Sequence, residues 1–170
     1  MPLFNMTDLR AQLDAGERLI GIDPGSRTIG LALSDVSLLL ATPHSQMPRG
    51  KLAAAAAAIG RLARAERAGG LVVGLPLSMD GTAGPAAQAA RDWTHALSAA
   101  TGLPAALWDE RLSSAAVNRF LIAEADATRS RRAELVDQMA AAYMLQSALD
   151  ASRAGEQASG QASGQASGQD

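Results

Sequence analysis

Acidic side chains stand where the apolar elements of this sequence end. Asp23 directly follows a strand-like apolar run, and Asp109 and Glu110 follow another. Asp137 interrupts the apolar face of the last predicted helix. A carboxylate at the end of a buried element is costly to desolvate unless a partner satisfies it. Each acid therefore needs either a local hydrogen-bonding explanation or a ligand.

Divalent metal binding is the chemistry that such a set of acids would suit. Three carboxylates that converge at strand ends form a poor structural cluster, because like charges repel. They form a good cage for Mg²⁺, which takes hard oxygen ligands. Strand ends inferred from sequence shift by about two residues, so Asp109 and Glu110 are not separated as ligands. The candidate metal and catalytic residues are Asp23, Asp109, Glu110 and Asp137.

Each acid also has an ordinary structural explanation. Asp-Pro-Gly at 23–25 is a common turn in which the aspartate bonds its own backbone. Glu110 and Arg111 could form a surface ion pair of little energetic value. Asp137 could pair with Arg131 or Arg132. The segment 129–132 that carries these arginines is, in isolation, typical of a solvated loop. Taken together, the acids lie at matching strand and helix positions of one predicted topology, and this favours a functional site.

Hydrophobic periodicity predicts the elements that position these acids. Three short strands come first, at 18–22, 29–34 and 37–42, and the polar segment 43–50 is predicted to be a loop. The next helix carries an apolar stripe and ends at Gly69-Gly70, as helix C-termini prefer. The remaining elements are a strand at 71–77, a helix at 85–100, a strand at 104–110, a helix from Ser113 or Ser114 to 123, and a helix at 133–151. The stripe consists of Leu52, Ala55, Ala56, Ile59, Leu62 and Ala63.

This order of elements, β-β-β-α-β-α-β-α-α, predicts an α/β fold. Three meander strands followed by two parallel crossover strands form a five-stranded mixed sheet with helices on both faces. We expect a domain at 18–153, preceded by an N-terminal extension with a short helix at 1–17. Residues 154–170 carry Gln-Ala-Ser-Gly three times and have no apolar anchor, so a disordered tail is predicted there.

Composition narrows the classes of function. A chain of 170 residues with 48% hydrophobic residues can bury a real core. The lack of cysteine excludes disulfides and cysteine-ligated zinc, and it suits a cytoplasmic protein. A net charge of −2 argues against a protein that coats nucleic acid through a broad positive field. It permits an enzyme that holds nucleic acid through a few arginines. No apolar run approaches the ~18 residues of a membrane span.

Other motifs give weaker signals. The glycines of 74–81 are not followed by Lys-Ser or Lys-Thr, so a P-loop is absent. His44 and His95 show no metal-ligand spacing. The Asp-x-Gly-Ser start resembles the phosphate loop of actin-like ATPases, but those proteins need two such domains and this chain is too short.

Four sequence blocks resemble the YqgF (RuvX) family of pre-16S rRNA nucleases. They read GIDPGSRTIGLALSD, VVGLPLSMDGT, DERLSS and VDQMAAAY, in that order over about residues 18–150. Members of that family are similar to RuvC-type Holliday junction resolvases and share the ribonuclease H-like fold. The resemblance implies a bacterial cytoplasmic enzyme that processes the 5′ end of the 16S rRNA precursor by metal-dependent phosphodiester hydrolysis.

The resemblance also assigns roles by position. Asp23 matches the first-strand acid, Glu110 or Asp109 the acid of Asp-Glu-Arg, and Asp137 the last-helix acid. RuvC keeps a glutamate on the fourth strand, where this sequence reads LVVGLPLS, so the second ligand must come from the fifth strand. The implied mechanism uses two Mg²⁺ or Mn²⁺ ions held ~4 Å apart. The implied substrate-binding residues are Gly25, Ser26, Arg27, Arg111, Arg129, Arg131 and Arg132, because glycine lets backbone approach a phosphate and arginine pairs with it.

Two other functions stay open at this stage. The first is a Holliday junction resolvase acting on branched DNA, which would need a dimer to cut two strands symmetrically. The second is a non-catalytic ribosome-assembly or transcription factor that retains the fold. Structured RNA as the partner is implied only by the resemblance, and the chain is compatible with either a monomer or a homodimer.

Overall fold

Five strands form one mixed sheet in the order β3-β2-β1-β4-β5. The structure is a computed structural model that describes residues 2–76, 80–109 and 129–164. Its strands are β1 (Arg18–Pro24), β2 (Thr28–Ser34), β3 (Ala41–Pro48), β4 (Ala68–Leu75) and β5 (Ala105–Asp109). β1 pairs antiparallel with β2, and β2 with β3, whereas β1–β4 and β4–β5 are parallel. The predicted five-stranded mixed sheet is confirmed.

Helices cover both faces of this sheet. They are α1 (Met6–Ala11), α2 (Leu52–Glu66), α3 (Pro85–Thr101) and α4 (Arg129–Gly164). Side chains of α4 are described from residue 138 to residue 158. The helix predicted to end at 123 lies outside the described residues. In the part of the chain that the structure describes, no helix combines the length and apolar character needed to cross a membrane.

Two apolar cores lie on opposite faces of the sheet. On one face, Ile20 and Ile22 of β1 pack with Ile59 of α2 and Leu97 of α3. On the other face, Leu19 packs in a cluster that includes α1 and α4. Because successive strand residues alternate between faces, a strand buried on both faces reads as a continuous apolar run, as β4 does. The α2 stripe is confirmed: Ala55, Ile59 and Ala63 are buried, and Leu52, Ala56 and Leu62 pack against them.

Helix α4 lies directly on the backbone of β1. A Cβ added at Gly21 would stand 2.8 Å from Leu145 Cβ and 3.2 Å from the Ala141 carbonyl oxygen. Further along α4, the Ser152 hydroxyl accepts a hydrogen bond of 3.0 Å from Arg10 Nη1 of α1, the helix that lies near the start of β4. The C-terminal part of α4 therefore lies towards the strand starts, and its N-terminal part lies towards their carboxyl ends.

The third strand differs from its prediction, because Asp35 folds the segment 35–40 into a turn. Asp35 Oδ1 accepts hydrogen bonds from the amides of Leu39 (2.9 Å) and Leu40 (3.1 Å). The Ser37 hydroxyl donates to Oδ2 and is the main cause that lowers the pKa of Asp35. These bonds surround Leu38, whose φ is 56°.

The strand β3 begins at Ala41, so the predicted strand at 37–42 and loop at 43–50 are wrong. Pro43 lies inside β3 and does not end it. β3 is an edge strand, and a proline is tolerated there because one side of the strand needs no hydrogen-bond donors from a neighbouring strand.

The boundary between α2 and β4 also differs. Helix α2 ends at Glu66 and is capped by Arg67, whose φ of 53° lies in the left-handed region. Strand β4 starts at Ala68. Gly69 and Gly70 are strand residues, contrary to the prediction. A Cβ at Gly70 would stand 2.9 Å from Leu19 Cδ2, so packing against the neighbouring strand explains this glycine.

The final helix is longer than predicted at both ends. It begins at Arg129, in the predicted non-helical segment, and continues to Gly164, through most of the segment predicted to be a disordered tail. The alanine and glutamine of the repeat favour a helix, whereas its glycines disfavour one. Glu156 also lies 3.3 Å from Arg10, which links this extension to α1. Residues 165–170 lie outside the described residues.

We predict that Gly21→Ala destabilises the protein, because the added methyl would collide with α4. An overpacked contact of this kind should lower the free energy of unfolding by about 1–3 kcal/mol, measured by urea denaturation. Gly60→Ala is the matched control. Its Cβ would be 3.6 Å from an Arg64 nitrogen, an ordinary contact. The control should stabilise α2 by about 1 kcal/mol. Equal effects at the two positions would contradict the packing of α4 on β1.

Removal of residues 154–170 should leave the fold intact. The truncation breaks the Arg10–Glu156 pair, whose glutamate side chain is 48% exposed, and such a pair contributes little to stability. The melting temperature should change by no more than about 3 °C. A much larger fall would show that this segment packs against the domain.

Candidate functional site

Asp23 is the next-to-last residue of β1 and is half-buried. It pairs with Gly30 of β2. On the other side the register Ile22–Val73 continues to Gly74 of β4. Both strand neighbours of Asp23 in the sheet are therefore glycines, which add no side chain of their own beside its carboxylate. Because β1, β4 and β5 are parallel, their carboxyl ends share this edge of the sheet, where ligands bind in open α/β sheets.

Asp23 lies on the face of the sheet that α4 covers. Leu19 belongs to the α4 core and Gly21 contacts α4, and alternation places Asp23 on the same side. From Gly21, Asp23 lies two residues, about 7 Å, towards the carboxyl end of β1. From Ala141, Asp137 lies one helical turn, about 6 Å, in the same direction along α4. The carboxylate of Asp137 lies outside the described side chains.

Asp109 lies on the opposite face. It ends β5 and pairs with Leu75 of β4. Its neighbour Trp108 is on the α4 side, where the indole Nε1 donates a hydrogen bond of 3.3 Å to Ser147 Oγ. Leu107 packs on the α2 and α3 side, and alternation puts Asp109 there as well. This register argues against Asp109 as a ligand that shares an ion with Asp23. Glu110 lies outside the described residues.

The turn after Asp23 is tightly constrained. The Gly25 amide donates a hydrogen bond of 3.1 Å to the Asp23 carbonyl oxygen. A Cβ at Gly25 would stand 2.6 Å from the Thr28 carbonyl oxygen, so only glycine fits this path without a shift of the backbone. Ser26 and Arg27 are exposed beyond it. A tight turn of the backbone therefore follows Asp23 directly.

Sequence reasoning missed Arg49, which contacts this turn. Its Nη1 donates to the carbonyl oxygens of Gly25 (2.8 Å) and Pro24 (3.4 Å), and its guanidinium carbon lies 5.9 Å from the centre of the Trp93 ring. No local pattern could reveal this contact, because the partners are separated by at least 24 residues.

The remaining candidate arginines are placed only in part. Arg27 is exposed at the turn. Arg129, Arg131 and Arg132 belong to the first residues of α4, and their side chains lie outside those described. Arg111 also lies outside the described residues.

The donor set at this edge fits a hard cation. Among the side chains that the structure describes, no three or more His, Asp or Glu residues form a group that could hold a metal ion. Two of the candidate ligands, Glu110 and Asp137, lie outside the described side chains. The candidates offer carboxylate oxygens and no thiolate, which matches Mg²⁺ or Mn²⁺.

Comparison with known proteins identifies related sequences. The family model described as "RuvX: Holliday junction resolvase" matches residues 17–151. The chain is 67% identical to a "Putative pre-16S rRNA nuclease" of Gluconacetobacter diazotrophicus, over 89% of this chain and 99% of the relative. It is 63% identical to a protein of the same name in Gluconobacter oxydans, over 90% and 96%. Among solved structures, Thermus thermophilus RuvC in complex with a Holliday junction substrate matches with 18% identity and a TM-score of 0.47, covering 75% of this chain and 91% of RuvC.

The face assignment of β5 can be tested with two variants. If Mn²⁺ binds beside Asp23, it should raise the melting temperature of the parent protein, and Asp109→Asn should keep that rise because Asp109 lies across the sheet from Asp23. Glu110→Gln should lose most of that rise, since an ion stabilises the fold only through groups that bind it in the native state. The reverse pattern in a thermal-shift titration would contradict the placement of Asp109 on the opposite face.

Proposed function

The chain belongs to the RuvX family, and from this premise we propose that it is a metal-dependent nuclease that cleaves phosphodiester bonds in RNA. The proposed substrate is the 16S rRNA precursor, cut at its 5′ end in the bacterial cytoplasm. The observation that supports this most is the position of Asp23. It stands at the carboxyl end of β1, between two glycines, on the face that α4 covers.

Asp23, Glu110 and Asp137 are the proposed ligands of Mg²⁺ or Mn²⁺, with two ions in the working site. Such ions, when bound, activate a water molecule and stabilise the departing oxygen. The role of the protein chain is to hold these carboxylates in position. β1 holds Asp23, and the contact between Gly21 and Ala141 sets the distance of α4, and with it Asp137, from the sheet.

Other groups of the chain would hold the substrate. The tight turn at Gly25 lets a phosphate approach the backbone beside Asp23, and Ser26 and Arg27 are exposed at the same place. Arg111 and the arginines at the start of α4 are proposed to pair with neighbouring phosphates, since a guanidinium matches phosphate oxygens in geometry and charge. With a net charge of −2, the chain would grip RNA through these local arginines.

One incubation series tests the function. Purified protein is mixed with a transcript that contains the 5′ precursor segment of 16S rRNA, and separately with a four-way DNA junction, in Mg²⁺, Mn²⁺ or EDTA. We expect divalent-dependent cleavage of the RNA and none of the junction. Cleavage of the junction alone would favour a resolvase, the activity that the matching family description names. Cleavage of neither substrate would favour a non-catalytic assembly factor.

Asp23→Asn should abolish cleavage without unfolding the protein. The amide keeps the shape of the side chain but removes the charge that would hold the ion, so the rate should fall by about 10³-fold or more. Without metal the variant should be at least as stable as the parent, because one repelling charge leaves the cluster. Asp14→Asn, an exposed residue before the start of β1, is the matched control. A fully active but destabilised Asp23→Asn variant would show that Asp23 only shapes the turn.

A further inference from the structure

We propose that Arg49 is a positioning residue that fixes the turn 24–27 and, through it, the rate of cleavage. The inference rests on the proposed function for its effect on catalysis. Its structural part stands on the contacts of Arg49 alone. Arg49 follows β3, which is separated from β1 by β2 in the sheet, yet its side chain reaches the backbone directly after Asp23.

Arg49 joins three elements at this edge of the sheet. Its amide donates a hydrogen bond of 2.8 Å to the Arg27 carbonyl oxygen, and Nη1 donates one of the same length to the Gly25 carbonyl oxygen. Its guanidinium lies 5.9 Å from the ring centre of Trp93, a partly buried residue of α3. One residue therefore ties the turn between β1 and β2 to the end of β3 and to α3.

The chemistry of these contacts requires arginine. A guanidinium is flat and permanently charged, so it can donate to backbone carbonyls at its edge while its face lies against an aromatic ring. A lysine ammonium is a point charge on a flexible chain and does not reproduce this arrangement. We therefore expect lysine to restore the charge at position 49 but not the function.

The path of this turn is narrow at Gly25, and its far end is joined to β3 just before Arg49. The Gly25 position leaves no room for a Cβ against the Thr28 carbonyl oxygen, and Thr28 pairs with Pro48, the residue before Arg49. Loss of the Arg49 side chain would leave the carbonyls of Pro24 and Gly25 without the donor they have now. The turn could then move, and with it Ser26 and Arg27. A displacement of about 1 Å in a group that positions substrate can slow a reaction about 100-fold.

Arg49 is itself exposed, so direct phosphate binding is the competing role. The two roles give different salt dependence. A side chain that neutralises one phosphate contributes about one unit to the slope of log Kd against log salt concentration. A positioning residue leaves that slope unchanged and lowers the cleavage rate of bound substrate.

The experiment compares the parent with Arg49→Ala, Arg49→Lys and the matched control Arg61→Ala, which removes an exposed arginine from α2. Hydrogen exchange of the peptide spanning 24–28 is measured without substrate or metal. RNA affinity is measured at several salt concentrations with EDTA present, and single-turnover cleavage is measured with Mg²⁺.

Arg49→Ala should speed exchange in the 24–28 peptide and slow single-turnover cleavage by about tenfold or more, with an unchanged salt slope. Arg49→Lys should behave like the alanine variant, and Arg61→Ala like the parent. A salt slope reduced by about one unit with unaltered exchange would overturn the proposal in favour of phosphate binding. Cleavage at the parental rate in Arg49→Ala would also overturn it. If the parent cleaves nothing, the proposed function fails, and exchange alone decides whether Arg49 fixes the turn.

Discussion

At Gly21 the final helix lies against the main chain of the central strand with no space for a side chain between them. Leu145 Cβ stands 2.8 Å from where a Cβ of Gly21 would be. A helix so close to a strand cannot slide or rotate without a clash, because protein interiors are close-packed. The contact therefore fixes α4 relative to β1, and so fixes where the residues one turn further along α4 lie with respect to Asp23.

Around this contact, glycine supplies space where the site needs it. Gly30 and Gly74 are the sheet neighbours of Asp23, and Gly25 permits the tight turn behind it. Neither of these strand neighbours places a side chain of its own beside the half-buried carboxylate. The same sheet is apolar on both faces, so the acid is an exception at the end of a buried strand.

Much of this arrangement could be predicted from the sequence. Local hydrophobic periodicity predicts strand β1, with Asp23 near its end, and the apolar stripe of α2. It does so because the periodicity directly reflects which residues are buried. Periodicity wrongly predicted a strand within segment 35–40. Hydrogen bonds to the Asp35 side chain fold this apolar segment into a turn. Gly69 and Gly70 resembled a helix end because the neighbours that leave no room for a side chain there, Glu17 and Leu19, are distant in sequence. Arg49 was missed because its partners are also distant in sequence. The sheet face that Asp109 occupies could not be predicted from the sequence, because it depends on the register of β5.

The central claim is that a divalent ion binds at the carboxyl ends of the parallel strands, on the face that α4 covers. Paramagnetic Mn²⁺ broadens the NMR signals of nuclei near it, so its position can be read from backbone amide spectra of the intact protein. We expect broadening at sub-stoichiometric Mn²⁺ for the amides of Ile22, Asp23 and Gly25 and of 73–75, reversed by EDTA, with the amides at the strand starts, 18–19 and 68–70, unaffected. Broadening centred on another acidic region, such as Asp35 or Asp150, or no selective broadening at all, would contradict the account.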